Sequence, residues 1–365
     1  MAEVLTTVSI ISGISIFLAA LLTIAERFLL NYGTCKIIIN KDKELEVKGG
    51  NHLLGSLLQN DIFIPSACGG RGSCGLCKVK VISGGGPLLP TETPYLSREE
   101  QDNNIRLACQ VRIRSDVEIE IPDELFNIRE YTTMVERIEE LTYDTKAVFL
   151  RLPEGEEMNF KAGQYVQIKI PQYGNNPEEV YRAYSIASSP SDKGLIQLII
   201  RKVPHGISTT YVFDHLKEGD RLDLNGPYGD FYLRDSDREM ICIAGGSGLA
   251  PIKSILHYLA ENNIRRKATF FFGCVAKRDL YYVDEMKAFE EKIPDFRFIP
   301  ALSAPEEGDN WAGETGLITE VVDRHITDGS EMEAYLCGSP GMIDACIEVL
   351  RRKGVPEDRI YYDKF

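Results

Sequence analysis

Histidine is scarce, and its distribution is uneven: the chain has five in 365 residues and none between residues 53 and 204. A zinc knuckle completed by a histidine pair, or a cluster with histidine ligands, is therefore excluded from that stretch. Basic residues are also the minority, with 41 Lys and Arg against 55 Asp and Glu and a net charge of −14. No basic patch stands out, which argues against a nucleic-acid partner and leaves room for a positively charged one. No repeat period and no long low-complexity run is present, so solenoids and disordered arrays are excluded. Nine cysteines are too few for a disulfide scaffold, and an odd number leaves at least one unpaired. What remains is an ordinary globular composition, 44% hydrophobic and 26% charged, at a length that holds two to four domains.

Charge is missing altogether from one segment. "VLTTVSIISGISIFLAALLTIA", Val4 to Ala25, runs 22 residues without a charge. At about 1.5 Å per helical residue it matches a hydrocarbon core of about 30 Å. A cleaved signal peptide would need a basic start and a shorter apolar run, and "MAE" has no Lys or Arg. The expectation is a retained single-pass anchor over residues 1–30. Glu3 precedes it and Arg27 and Lys36 follow, which puts the remainder of the chain on the cytoplasmic side of the cell membrane.

Beyond the anchor the pattern changes twice. "TCKIIIN" and "KELEVKG" alternate as a hairpin, "HLLGSLLQN" is a short helix, and "SREEQ" opens with a capping box from Ser97 to Glu100. With "KVKVISGG", "RLACQVRI" and "VEIEI" these make a small mixed domain over residues 34–122. From 131 to 235 short strands separated by Gly and Pro turns predict an antiparallel β-barrel, with one helix at "STTYVFDHL". From 238 to 365 strand, glycine turn and helix alternate, the signature of a parallel α/β sheet covered on both faces. The fold class is thus multidomain α/β.

"SACGGRGSCGLCKVKV" (66–81) concentrates the chemistry of the first domain. The full spacing is Cys68-x5-Cys74-x2-Cys77-x31-Cys109. Only one C-x-x-C is present, which disfavours zinc, and a cytoplasmic setting disfavours a disulfide. Three thiolates on a glycine-rich loop plus a distant fourth are the ligand pattern of a 2Fe–2S cluster of the plant type. Gly69, Gly70, Gly72 and Gly75 let the backbone curl and aim N–H groups at sulfur. The other five cysteines are scattered, and Cys242 and Cys274 lie in apolar runs that read as core.

In "RAYS" the strand alternation puts Arg182 and Tyr184 on one face and Ser185 on the other. An Arg suits a diphosphate, a Tyr an isoalloxazine ring, and a Ser the flavin N5. "GISTT" (Gly206 to Thr210, including Ser208 and Thr209) opens a helix, where free N–H groups favour phosphate. "IAGGSGLAP" lies between a strand and a helix, the setting of a nucleotide pyrophosphate turn. It is not G-x-G-x-x-G: Gly246 and Gly248 fit, but Pro251 replaces the third glycine. "CGSP" (Cys337 to Pro340) repeats the strand–glycine–helix arrangement. Lys277 and Arg278, after "FFGCVA", are candidates to grip the 2′-phosphate of NADPH.

Together "RAYS", "GIST", "GPYG", "GGSGLAP", "CGSP" and the terminal "YYDKF" resemble the ferredoxin–NADP reductase-like flavoproteins. With the anchor, the cluster loop, "LPTE", "RLACQV", "DNW" and "TGLI", the chain more closely resembles one family among them, the NADH-oxidising subunits of the sodium-translocating NADH:quinone oxidoreductases. That resemblance implies a ferredoxin-like β-grasp domain, FAD on the barrel and NADH on the parallel sheet. It implies that Ser185, Cys337, Asp363 and Phe365 surround the reacting rings. The cofactor-binding set it implies is Arg182, Tyr184, Ser185, Gly206, Ser208, Thr209, Gly245, Gly246, Gly248, Pro251, Gly273, Cys337, Gly338 and Phe365, with Cys68, Cys74, Cys77 and Cys109 on the metal. The implied function is hydride transfer from NADH to FAD, then electrons to the cluster and on to membrane subunits of a respiratory, ion-translocating complex. The implied acceptor there is a flavoprotein, an iron–sulfur protein or quinone. Two alternatives stand beside it: a reductase serving a soluble oxygenase or ferredoxin, and a non-enzymatic redox sensor. The family has a long insertion before its Arg-x-Tyr-Ser strand, where this chain has only "QYGNNPEEVY".

Overall fold

The structure, a computed structural model, describes residues 11–21, 32–174 and 176–364. Contacts divide the chain into two compact units at Ile128/Arg129. In the first, α1 (residues 11–21) is helical with every side chain exposed. It covers only part of the uncharged run; the remainder of the expected anchor lies outside the described residues. Among the described residues no helix is long and apolar enough to cross a membrane.

The rest of this unit is a mixed five-stranded sheet. Its elements are β1 (Thr34–Ile39), β2 (Lys43–Lys48), α2 (Leu53–Leu58), β3 (Lys78–Ser83), α3 (Arg98–Asp102), β4 (Ile105–Leu107) and β5 (Val117–Glu120). The strand order is β2-β1-β5-β3-β4, with the central β1–β5 pair parallel, the β-grasp arrangement. Alternation drives it: Cys35, Ile37 and Ile39 turn inward onto Leu53, Leu54 and Leu57 of α2, while Thr34 and Lys36 stay outside. Asn40 and Lys41 take left-handed φ values of 50° and 66°, which closes the β1–β2 hairpin. The expected capping box is present: Ser97 Oγ accepts from Glu100 N at 3.1 Å, and Ser97 N donates to Glu100 Oε2 at 2.8 Å.

The second unit begins with β6 (Arg129–Thr142), β7 (Thr145–Arg151), β8 (Tyr165–Ile170), β9 (Val180–Ser185), β10 (Leu195–Arg201), α4 (Ile207–Asp214) and β11 (Arg221–Tyr228). The six strands pair antiparallel in the order β10-β7-β6-β11-β8-β9. An Ile186–Leu198 bridge and the Ala187 N to Gln197 O bond (2.8 Å) join the two edges just beyond β9, so the sheet closes on itself. The β8–β9 connection is short and turns through a Tyr173–Asn176 bridge.

The same unit continues with β12 (Met240–Gly245), α5 (Leu249–Glu261), β13 (Ala268–Cys274), α6 (Val283–Lys292), β14 (Phe296–Leu302), β15 (Glu314–Thr315), α7 (Ile318–His325), β16 (Glu333–Gly338), α8 (Pro340–Arg352) and β17 (Ile360–Lys364). All six strands are parallel, ordered β15-β14-β13-β12-β16-β17. Both faces are covered, which explains the unbroken apolar strands. Met240, Cys242 and Ala244 pack with α5 and α6, while Ile241 and Ile243 pack with α7 and α8. Chain order reverses between β12 and β16, the switch point at whose carboxyl ends open α/β sheets form a ligand crevice.

Candidate functional site

The cluster loop has almost no regular structure because its glycines dictate the path. Gly69, Gly70, Gly72 and Gly75 hold φ values of 64°, 85°, 74° and 70°, a region that side-chain-bearing residues enter at a cost. Space is short as well: a Cβ on Gly75 would sit 2.9 Å from Tyr95 Cβ. The distant Cys109 reaches the loop through the sheet. β3 pairs with β4 (Lys78 opposite Leu107), and Ala108 N donates to Cys77 O at 2.7 Å, so Cys77 and Cys109 leave neighbouring strand ends together.

The four thiols fall into two pairs. Cys74 Sγ lies 3.4 Å from Cys68 Sγ, and Cys77 is hydrogen-bonded to Cys109. Within each pair one thiol is acidified and the other is not. The Cys74 thiol pulls Cys68 down, helped by N–H groups of Ser73 and Arg71, while the same contact pushes Cys74 up. Cys77 likewise lowers Cys109 and is raised by it. Among the described residues no three His, Cys, Asp or Glu side chains converge as they would around one metal ion. Two sulfurs here and two there fit a bridged two-iron cluster, in which each iron takes two cysteines, better than a zinc site. The Cys77–Cys109 pair is buried and the Cys68–Cys74 pair is partly exposed.

On the barrel, β9 runs beside β8 with Ser185 opposite Tyr165 and Arg182 opposite Ile168. Tyr184 Oη donates to Ser208 Oγ at 2.8 Å, and burial pushes its phenol up to about 12. Arg182 Nη1 bonds to Tyr181 O at 2.7 Å. Gly206 caps α4 without a side chain, and a Cβ there would come within 2.6 Å of Thr209 Oγ1. Thr209 Oγ1 accepts from Val203 N and lies 3.1 Å from Val203 O, so it holds the turn that leads into α4. Tyr184 and Ser208 thus line one wall beside a helix N-terminus whose N–H groups suit a diphosphate.

At the crevice of the parallel sheet the glycines have separate reasons to be there. A Cβ on Gly248 would lie 2.0 Å from Cys337 O, and one on Gly245 would lie 2.8 Å from Met342 Sδ. Gly246 has φ 54°, and its carbonyl accepts from Tyr281 Oη at 2.6 Å. A Cβ on Gly338 (φ 149°) would lie 2.8 Å from Met342 Cε. Gly273 sits opposite Gly245 on β13, but its missing Cβ faces Ile318 at 2.9 Å, a packing reason. Pro251 is buried in the first turn of α5. This cradle of backbone approaches fits a dinucleotide phosphate turn.

Strand register brings three of the expected residues together. Cys337 on β16 is paired with Asp363 on β17, and the Ser185 hydroxyl comes near enough to both side chains to lower each group's pKa. Burial pushes the Asp363 carboxyl up to about 6, against the Ser185 hydroxyl that lowers it. The Cys337 thiol, fully buried, is raised by burial and by Asp363. Phe365 lies outside the described residues. Cys242 is core as expected, while Cys274 is partly exposed with its thiol pushed up to about 12 by burial. Lys277 and Arg278 are not unpartnered cations: Arg278 pairs with Glu306 at 3.1 Å and Lys277 Nζ bonds to Asp309 O at 2.9 Å.

Some members of these sites carry no motif. Tyr281 anchors the glycine turn, and Lys253 Nζ sits between Gln197 (2.9 Å), Glu285 (3.0 Å) and His257 (3.2 Å), linking α5 to the barrel. Gln110 and Thr91 stand beside Cys109. The only sequence signal for Gln110 is its place directly after the fourth cysteine.

The chain matches three domain families: the 2Fe-2S iron-sulfur cluster binding domain over residues 34–114, the oxidoreductase FAD-binding domain over 132–232, and the oxidoreductase NAD-binding domain over 242–348. Among solved structures it resembles the cytochrome P450 reductase of Amycolatopsis, at TM-score 0.73 and 30% identity over 91% of this chain and 99% of that one. The ferredoxin reductase of carbazole 1,9a-dioxygenase is similar, at TM-score 0.70 and 31% identity over 91% and 98%. Among curated relatives, the F subunit of the Na+-translocating NADH-quinone reductase of Neisseria meningitidis is 36% identical, covering 100% of this chain and 99% of its own. That of Idiomarina loihiensis is 35% identical, covering 100% of both. The Neisseria alignment spans 408 positions against 365 residues here, so that relative has residues with no counterpart in this chain. The chain belongs to the family formed by the F subunits of the Na+-translocating NADH-quinone reductases.

Proposed function

We propose that this chain is the NADH-oxidising subunit of a sodium-translocating respiratory complex, carrying FAD and a 2Fe–2S cluster. The observation that carries the reading is the meeting of Ser185, Cys337 and Asp363 where a closed barrel abuts a parallel sheet, in a chain that also holds two thiol pairs. When bound, FAD accepts hydride from NADH and the cluster takes the electrons onward one at a time.

The residues divide the work. Arg182 and the first turn of α4 neutralise the FAD diphosphate, and Tyr184, its hydroxyl held by Ser208, sets the plane of the ring. Gly245, Gly246 and Gly248 let the NADH pyrophosphate approach the backbone, with Tyr281 fixing the turn from behind. Ser185 lies beside Asp363, whose carboxyl is pushed up to about 6 by burial. Cys337, buried beside Asp363, would pack beneath a bound nicotinamide. Phe365, assigned to the flavin face by the resemblance alone, would compete there with the nicotinamide. Cys68, Cys74, Cys77 and Cys109 hold the cluster.

In this reading residues 1–30 are a single membrane span, the remainder is cytoplasmic, and the acceptor is another subunit of the membrane complex. Anaerobic addition of NADH to detergent-purified protein should bleach the flavin and then produce the signal of a reduced 2Fe–2S cluster. No bleaching refutes the enzymatic reading. Gentle extraction should bring partner chains with it, and a lone protein fully active on soluble acceptors refutes the complex.

A second reading, a reductase for a soluble oxygenase, is favoured by the likeness to the P450 and dioxygenase reductases. Deleting residues 1–30 separates the two, because an oxygenase reductase keeps its physiological turnover without them.

A further inference from the structure

Gln110 follows the last cluster cysteine, and its side chain turns back onto it. Nε2 lies 3.7 Å from Cys109 Sγ, and Oε1 accepts from Thr91 Oγ1 at 2.9 Å. The thiolate of a ligating cysteine accepts hydrogen bonds and donates none, so only the NH2 end of the amide belongs on sulfur. The carbonyl end is then left for the Thr91 hydroxyl. Gly72 makes the room: a Cβ there would stand 2.5 Å from Gln110 Nε2.

Thr91 is held in its turn from below. Its neighbour Glu92 is fully buried, gripped by Arg106 Nε and Nη2 at 2.9 and 2.6 Å and by Leu107 N at 2.9 Å. A surface hydroxyl on a buried ion pair is a firm point from which to orient an amide. Hydrogen bonds to cluster sulfurs favour the state with more electron density on sulfur, which is the reduced one.

We propose that Gln110, oriented by Thr91, is a positioning residue that raises the reduction potential of the cluster by donating to Cys109 Sγ. The inference rests on the cluster reading above, and it names a device by which this chain sets how readily electrons leave the flavin.

The test is an EPR-monitored redox titration of the full chain in detergent. Gln110→Leu removes the donor and should shift the cluster to lower potential, by about 59 mV for a tenfold loss in the reduced-to-oxidised ratio of a one-electron couple. Gln110→Glu puts a carboxylate by the sulfur and should fall further. Thr91→Val leaves the amide in place but unoriented, so a smaller shift in the same direction is expected, and Thr91→Ser should restore the wild-type value. The flavin potential and the rate of flavin reduction by NADH should not move in any of them. A Gln110→Leu protein with an intact cluster at the wild-type potential overturns the inference while leaving the cluster reading standing. If that variant fails to hold a cluster, Thr91→Val decides, and a wild-type potential there overturns it equally. Absence of any reducible cluster in the unsubstituted protein overturns both.

Discussion

Replacing Arg106 with Met tests whether the ferredoxin-type unit depends on one buried ion pair. Glu92 is 0% exposed and Arg106 5%. Besides the carboxylate, the guanidinium serves three carbonyls, Gly85 at 3.3 Å, Gly86 at 2.9 Å and Pro87 at 2.9 Å. Without it Glu92 retains only the N–H groups of Leu89 and Leu107, each at 2.9 Å. An uncompensated buried charge of this kind costs about 3–5 kcal/mol, far more than a surface pair at about 0–1 kcal/mol.

The pH dependence supplies a sharper criterion. Burial pushes the Glu92 carboxyl up, but Arg106 and the two backbone donors offset it and leave the carboxyl below its usual value. A depressed folded pKa means stability that is present above the unfolded value, about 4.3, and lost as pH falls through the lower folded value. In Arg106→Met only the two backbone donors still oppose burial, so the carboxyl rises from its wild-type folded value. The gap from wild type should therefore be smallest below the wild-type folded value and grow as pH rises through the higher value of the variant, fully developed by pH 7. Urea denaturation followed through the visible circular dichroism of the cluster measures this, with hydrogen exchange at the Leu107 amide as a local check. A gap under about 1 kcal/mol at pH 7, or one that does not change with pH, refutes the argument. In Glu92→Leu/Arg106→Met much of the loss should return, since both charges have gone.

Gly248→Ala should damage the nucleotide turn although its φ of −61° suits alanine, because the new Cβ meets Cys337 O at 2.0 Å. A rise of about tenfold or more in KM for NADH is expected, and an unchanged KM with native stability would contradict the geometry. Asp363, raised to about 6 by burial, makes the wild type lose stability as pH climbs from its unfolded value near 4 to about 6. Asp363→Asn removes that loss, so thermal unfolding at pH 4 and 7 should show the variant gaining about 2 kcal/mol relative to wild type at the higher pH. Cys109→Ser should abolish or severely destabilise the cluster while flavin content and flavin reduction by NADH persist, read by iron content and visible absorption. Loss of flavin along with iron would mean that the two sites are not separable in this way.

Much of this protein is determined by local pattern. Alternation in "TCKIII" puts Ile37 and Ile39 inside whatever they pair with, and a run like "ATFFFGC" requires cover on both faces. Ser97 and Glu100 cap a helix from three residues apart, and the Cys68–Cys74–Cys77 spacing with its glycines names a cluster before any strand is placed. These features are legible because each depends on neighbours in the chain.

Tertiary structure decided the rest, where partners are far apart in sequence or where burial rather than residue type carries the chemistry. Cys109 joins Cys77 because β3 pairs with β4, and the thiols sort two and two only in space. Asp363 reaches Cys337 through the register of β17 on β16, and Ser185 meets both only because the barrel strand ends there. Gly273, placed among the cofactor-binding glycines by the resemblance, also lies where a Cβ would meet Ile318, a constraint only the fold reveals. Lys277 and Arg278, cations with room for a phosphate on paper, are engaged by Glu306 and Asp309 on a loop some 30 residues later. Glu92 and Arg106 are two charged residues among many in the sequence, and only burial makes them a pair on which the loop beside Cys109 depends. A side chain's type is written in the chain, but its solvent and its partner are set by the fold.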